Sequence, residues 1–352
     1  MKIKTFDIAT FKLSKAWLPL LMLILLGGLF QGKQQSAPAE AGTAPVLLGV
    51  YSPNYLGTQS AIDTQLRQLD TWSGKRLSIA GTFIDLEDSN PAYNIPVPLD
   101  LLRQNGYTAF INFASTRTAA QIARGDIDPA IKRMATAYAS WVSKGGGRMA
   151  FIAPLPEMNG SWETYKEDPA NFKLAYQRIQ TIFTQAGVPR SAVRWVFAPN
   201  GWSATSTHNF ENYYPGNTKV DAIAFSSYNW GYCSAAGQWK HWDSPQVVFG
   251  PYIQRMRTMA STKPIFIAQT GTTSYTASGS QQTAKDQWFR DSYNYLASAP
   301  GVRGIIYFNL NKECDWAFYN SSVKSAGYKN AIANPKFGYV SPTNLSQMTL
   351  SP

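Results

Sequence analysis

Short apolar runs alternate along the chain with longer segments of helical spacing. VLLGVY (46–51) reads as a strand, and 58–74 has helical spacing at Ile62, Leu66 and Leu69. RLSIAGTFIDL (76–86) is a second strand, followed by a helix at 98–105, and TAFINFA (108–114) is a third. A long helix is predicted from Asp128 to Lys144, with Ile131, Met134, Ala135, Tyr138 and Trp141 on one face. Asp128 is its expected N-cap and Pro129 its first residue. RMAFIAPLP (148–156) is the fourth strand. The helix at 168–187 repeats the Asp-Pro start and stops on Gly187. VRWVFAPN (193–200) and VDAIAFSSYNW (220–230) are strands five and six, and 245–260 contains a helix. KPIFIAQTG (263–271) is strand seven, a helix follows around 281–299, and VRGIIYFNLN (302–311) is strand eight.

Apolar strands alternating with helices imply a parallel sheet covered on both faces. Eight such units in about 300 residues fit a (β/α)8 TIM barrel better than an open sheet. No Gly-rich phosphate loop stands where an open dinucleotide-binding sheet would need one.

The first residues follow a different pattern. Lys12 and Lys15 precede an apolar run, Ala16 to Phe30, and small residues follow in SAPAEAG. This is the order of a secretory signal. The run is short for a spanning helix; an uncleaved membrane anchor over residues 16–30 is the alternative. The expected organisation is a signal or anchor plus linker at 1–41, one barrel domain at 45–340 and a C-terminal tail at 341–352. Either reading of the leader puts the body outside the cytoplasm, secreted or extracytoplasmic. An oxidising compartment permits a disulfide between the two cysteines, Cys233 and Cys314, with two free thiols as the alternative.

Composition narrows the partner. The net charge is +11, with part of it in Lys2, Lys4, Lys12 and Lys15 and no run of basic residues elsewhere. That suits an acidic polysaccharide or an anionic surface better than nucleic acid, whose basic stripe and motifs are missing. Aromatics reach 14%, including 11 Trp and 19 Tyr, which serves a core or stacking on sugar rings. His208 and His241 stand apart, with no H-x-x-x-H or C-x-x-C, so no metal or other cofactor is expected. There is no G-x-S-x-G elbow. A monomer is expected.

In a (β/α)8 barrel chemistry sits at the carboxyl ends of the strands. Strands one to three end at Tyr51, near Asp85 and near Asn112. Strand four runs into PEMNGSW, with Glu157, Asn159 and Trp162. Strand five offers Asn200 and Trp202, and strand six Ser226, Tyr228, Asn229 and Trp230. Strand seven ends on Gln269; strand eight offers Asn309, Asn311, Asp315 and Trp316. Amides can bond sugar hydroxyls and aromatics can stack on sugar faces. Each residue alone is more often a turn or lid residue; their concentration at one rim favours a glycan site.

PEMNGSW, WVFAPNGW, the YYPG, VD and YNWG series, and KPIFIA resemble, in order and interval, glycoside hydrolase family 26, which contains β-mannanases and related endo-glycanases. The resemblance spans LGVY (48–51) to KECDWAFYNSS (313–322). It implies a (β/α)8 barrel with a glutamate proton donor after strand four and a glutamate nucleophile after strand seven, about 5 Å apart for retaining chemistry. Carried over, the donor is Glu157 and the nucleophile position is Gln269. The pattern departs at linked places. Pro156 replaces the usual His before the donor, IAPLP lacks an Arg, and Ser226 and Ser227 stand where Asp often precedes YN. A glutamine cannot form the glycosyl ester, so standard double displacement should be largely lost.

Two readings follow. In the first, the protein hydrolyses a mannan- or glucan-like β-linked polysaccharide with Glu157 as general acid/base. The base would then be Asp85, Glu211 or Asp315, or the substrate's own amide, and Gln269 would orient the substrate. In the second, it is a non-catalytic carbohydrate-binding protein that uses Gln269, Asn159, Asn200, Asn229 and the tryptophans.

Overall fold

The computed structural model describes residues 44–352, apart from 53–55 and 204. The signal or anchor segment expected at 1–41 lies outside the described residues. Eight strands form the barrel: β1 Leu47–Tyr51, β2 Ile79–Asp85, β3 Thr108–Ala114 and β4 Ala150–Pro154. They continue as β5 Val193–Phe197, β6 Ala222–Ser226, β7 Ile265–Thr270 and β8 Val302–Phe308. Every neighbour is parallel, and β8 closes on β1. The predicted (β/α)8 barrel is therefore the observed one.

Apart from the outer end of β2, the strands are largely buried on both faces because helices cover the outside and side chains fill the inside. Phe110, Phe151 and Phe266 meet inside the barrel, with ring centroids 5.1–6.4 Å apart. Gly304 makes room for them, since a Cβ there would collide with the Phe266 ring. Gly81 likewise makes room for Tyr51. Leu345, from a short helix at Pro342–Gln347, joins the same interior cluster. Arg194 and Arg303 donate to the carbonyls of Ser346 and Ser351, at 3.1 and 2.7 Å. Residues 341–352 thus pack onto the body rather than trailing from it.

The outer helices follow the apolar spacing, with local differences. Asp168 caps Pro169–Gln185 as expected, and Gly187 leaves it with φ 83°. Asp128 is not a cap: Ile127 precedes the helix Asp128–Ser143, and the Asp128 carboxylate instead takes two hydrogen bonds from Arg178, at 2.6 and 2.7 Å. The predicted helix at 58–74 is interrupted by a wider turn at Asp63–Arg67. A helix at Ala119–Arg124 went unpredicted although Thr118 and Gln121 form a capping box. Among the described residues no helix is long and apolar enough to cross a membrane.

Candidate functional site

After β4 the chain makes a tight, strained turn. Leu155 and Glu157 both have left-handed backbones, with φ 52° and 57°. For non-glycine residues such conformations cost about 1–3 kcal/mol each and gather at functional sites. Three backbone hydrogen bonds impose them: Leu155 to Phe113, Glu157 to Ala198, and Gly160 to Glu157, each 2.8 Å. The turn delivers the Glu157 carboxylate to the mouth. Asn200 Nδ2 donates to Oε1 at 3.2 Å and Trp162 Nε1 to Oε2 at 3.1 Å. The buried Ser226 hydroxyl has no fully formed hydrogen bond, yet stands near enough to favour the charged carboxylate. Burial is the stronger influence and holds the Glu157 carboxyl above its ordinary range, with Ser226, Asn200, Trp162 and Lys312 offsetting part of it.

Gln269 lies at the end of β7 and is 5% exposed. Its Oε1 accepts from the Tyr228 hydroxyl at 3.3 Å, and its backbone carbonyl accepts from Ser227 N at 3.0 Å. Ser226 is its register partner across the β6–β7 ladder. Ser226 therefore stands next to both Glu157 and Gln269, and the two expected catalytic positions share one mouth. Beneath them, Asn112 Nδ2 donates to the Tyr51 hydroxyl at 2.8 Å, while Asn112 Oδ1 is buried without a partner.

Three residues expected to meet ligand have side chains engaged elsewhere. Asn159 Nδ2 donates to the carbonyls of Asn200 and Trp202 at 2.9 and 3.1 Å and to Ser203 Oγ at 3.1 Å. Its Oδ1 accepts from Asn200 N at 2.9 Å. Asn159 is thus the anchor of the loop after β5. Asn229 is fully buried, donating to Thr272 Oγ1 at 3.0 Å and accepting from Asp243 N at 3.2 Å. Trp316 is 1% exposed and packs edge-on against Trp230, with centroids 5.0 Å apart, and against Tyr228 at 5.2 Å. It backs the wall rather than lining it. The Cys233–Cys314 disulfide lies in the same cluster, with Cα atoms 6.0 Å apart.

The other expected residues stay accessible. Asn200 orients Glu157, and Tyr228 and Trp230 are half-buried. Trp162 and Trp202 are 44% and 51% exposed. The three carboxylates considered as bases are placed differently. Glu211 is held by both arms of Arg255, at 2.7 Å each. Asp315 accepts from the Thr273 hydroxyl and Ser274 N and faces the buried Lys285 ammonium at 3.9 Å. Asp85 is exposed and accepts from Glu87 N at 2.8 Å. Sequence reasoning missed Glu163, a half-buried carboxyl in the loop that follows Glu157. Its one signal in the sequence is its place six residues beyond the donor. It also missed Phe83, exposed at the rim with its ring 5.1 Å from Tyr51. Among the described residues no cluster of His, Cys, Asp and Glu is placed to hold a metal ion.

No family model matches the chain. Among curated proteins it is similar to endoglucanase H of Acetivibrio thermocellus, 26% identical over 308 residues. That match covers 85% of this chain but only 32% of the relative, so the chain spans about a third of that protein's length. Among solved structures it is similar to a modular endo-β-1,4-mannanase of family 26 from Cellulomonas fimi, with TM-score 0.61, 13% identity, and 85% and 74% of the two chains covered. A family 26 β-mannanase from Bacteroides ovatus aligns with TM-score 0.59 at 13% identity over 88% and 93%. A family 26 endo-β-1,4-mannanase domain from Bacillus sp. JAMB-750 aligns with TM-score 0.61 at 13% identity over 87% and 90%. This chain thus has the barrel fold of the glycoside hydrolase family 26 mannanases over 85–88% of its length.

Proposed function

We propose that this protein engages a β-linked polysaccharide, mannan- or glucan-like, at the carboxyl-end mouth of the barrel, outside the cytoplasm and as a monomer. A signal peptide, or an anchor at residues 16–30, would place it there. Glu157 is the proton donor: its raised pKa keeps a proton available nearer neutrality than an ordinary glutamate would. Trp162, Trp202 and Trp230 offer faces to sugar rings, and Asn200, Ser226 and Tyr228 offer polar atoms to sugar hydroxyls.

The observation that carries most weight is the neutral amide of Gln269 at the nucleophile position. It supports a site that holds a glycan and can protonate a leaving oxygen but cannot form a covalent ester. The same observation favours the second reading, a carbohydrate-binding protein without turnover. Binding and product analysis on one panel of β-mannans and β-glucans separate the two. Binding to at least one polymer is expected, with little or no retaining hydrolysis. Trp162→Ala and Trp202→Ala should each weaken affinity by about 1 kcal/mol or more. Gln269→Glu restores a charge but not the neighbours lost at Pro156 and Ser226, so any activity it gains should be small. Strong retaining turnover by the unaltered chain would overturn the account of Gln269. Unchanged affinity in both tryptophan variants would remove those residues from the binding surface.

A further inference from the structure

Side chains of β2 alternate between the barrel interior and the outer core. Ile79 belongs to the interior cluster and Gly81 faces the Tyr51 ring, while Ile84 packs on the outer core. Successive residues of a strand point to opposite faces, so Phe83 and Asp85 share the inward face at the carboxyl end. Both are exposed. The Phe83 ring rests against the Tyr51 ring, with centroids 5.1 Å apart, yet remains 48% exposed. Tyr51 is itself fixed: Asn112 Nδ2 donates to its hydroxyl at 2.8 Å, and the Phe308 ring lies 6.0 Å away. Phe308 lies 6.2 Å from the ring of Tyr228, whose hydroxyl donates to Gln269 at 3.3 Å. Phe83 is thus the open end of an aromatic series that begins at the nucleophile position. Asn112 is the register partner of Phe83 on β3, and its Oδ1 is buried without a partner.

We propose that the carboxyl end of β2 is a subsite for one uncharged sugar unit, with Phe83 as its stacking ring and Asp85 as the acceptor for its hydroxyls. The proposal rests on the glycan reading of the mouth and adds a contact on the side away from Trp202. In the closed strand order, a line from β4, which precedes Glu157, to β7, which carries Gln269, leaves β5 and β6 on one side. Trp202 and Trp230 follow those two strands. Phe83 lies on the other side, with β8, β1, β2 and β3.

The two side chains match the two surfaces of a sugar. A pyranose has an apolar face of C–H groups and a rim of hydroxyls. An aromatic ring backed by a second ring offers a flat apolar surface held in place. A carboxylate accepts several hydrogen bonds, and hydroxyls donate them. Two residues along one strand face are about 7 Å apart, within the reach of one sugar unit and its hydroxyls. Asp85 Oδ1 accepts from Glu87 N at 2.8 Å, which orients the carboxylate. The unpartnered Asn112 Oδ1 is a second acceptor, on the neighbouring strand at the level of Phe83.

Charge selects the kind of unit. A uronic acid here would set its carboxylate beside that of Asp85. The guanidinium of Arg117, in the loop after β3, is already bonded to Glu87 through Nε and Nη2, each at 2.9 Å. It leaves the repulsion in place, and a neutral hexose is the unit that fits. The net charge of +11 does not, on this reading, become a preference for acidic glycans at the β2 end.

The test is calorimetric titration of the full chain with three probes: β-1,4-linked hexasaccharides of mannose and of glucose, and a β-1,4-linked uronic acid oligomer of the same length. The unaltered chain should bind a neutral hexasaccharide more tightly than the uronic acid oligomer. Phe83→Ala should weaken that binding about five-fold or more, the equivalent of about 1 kcal/mol for a lost stacking ring. Phe83→Tyr, which keeps the ring, should restore most of it. Asp85→Asn should weaken the neutral probe and strengthen the acidic one. Equal affinity in Phe83→Ala and the unaltered chain overturns the proposal, as does tighter binding of the uronic acid oligomer by the unaltered chain. Should Phe83→Ala fail to fold, Asp85→Asn decides, since it changes charge and not shape at an exposed position; unmoved affinities for both probes there overturn the proposal too. An unaltered chain that binds none of the probes removes the glycan reading itself, and this subsite with it. Binding that ignores Phe83 and Asp85 removes the subsite alone.

Discussion

The side-chain amide of Asn159 shares its two N–H groups among three oxygens and accepts from one N–H of the loop that carries Asn200 and Trp202. Asn159→Ala leaves those groups without this partner in a partly buried place. A loss of about 1–3 kcal/mol in urea unfolding is expected. Glycan affinity should fall with it, because Asn200 loses the support that aims it at Glu157. Unchanged stability in Asn159→Ala would mean that water replaces the amide. The same scale explains why Asn159 looked like a ligand residue: a polar residue after a strand reads alike whether it bonds a sugar or its own loop. Partners distant in sequence, here 41 and 43 residues away, made the difference.

At the scale of elements, the barrel interior is set by which strand yields space. Gly304 on β8 faces the Phe266 ring of β7, and Phe266 in turn packs on Phe110 and Phe151. Gly304→Ala adds a methyl where no room exists. Overpacking of this kind costs about 1–3 kcal/mol; a lower urea midpoint with an unchanged slope is the expected result. An equal midpoint would show that Phe266 can shift without penalty. The loops after β6 and β8 are joined by the Cys233–Cys314 disulfide, across a sequence separation of 81 residues. Closing so long a loop restricts the unfolded chain, and a bridge of this type contributes about 2–4 kcal/mol. Reduction should lower the unfolding midpoint accordingly, and Cys233→Ser with Cys314→Ser should match the reduced protein.

For the whole molecule, several carboxyls bind protons more tightly when folded. Burial pushes Asp70 up to about 6, against hydrogen bonds from Tyr107 and Leu77. Burial and Glu157 push Glu163 up to about 7, and burial raises Glu157. Each of these groups carries more protons folded than unfolded between its unfolded and folded values, so stability falls as pH rises through that window. Asp128 runs the other way: Arg178 holds it below its ordinary value, and its contribution is lost only in stronger acid. The protein should therefore be more stable to urea near pH 5 than near pH 7.5. Equal stability at the two values would show that these carboxyls do not titrate as described.

The eight strands and their covering helices were legible in the chain because periodicity is a local property, and parallel strands buried on both faces read as continuous apolar runs. Gln269 and Glu157 were legible as residues of one rim because every strand of a (β/α)8 barrel brings its carboxyl end to the same side. Tertiary structure decided the rest. Nothing local distinguishes Trp316, buried behind Trp230 and Tyr228, from Trp162 and Trp202, which stay open. Asp128 reads as a cap until Arg178, 50 residues on, claims its carboxylate. Asp85, Glu211 and Asp315 looked equivalent as bases until their partners were in view. Glu163 reads as an ordinary loop carboxyl until the fold half-buries it, between sequence neighbours that bond to Glu157, Ser115 and Pro156. The physical reason is common to all four cases: the chain order states which groups a residue carries, while burial and long-range hydrogen bonds determine which of those groups remain free to meet a ligand.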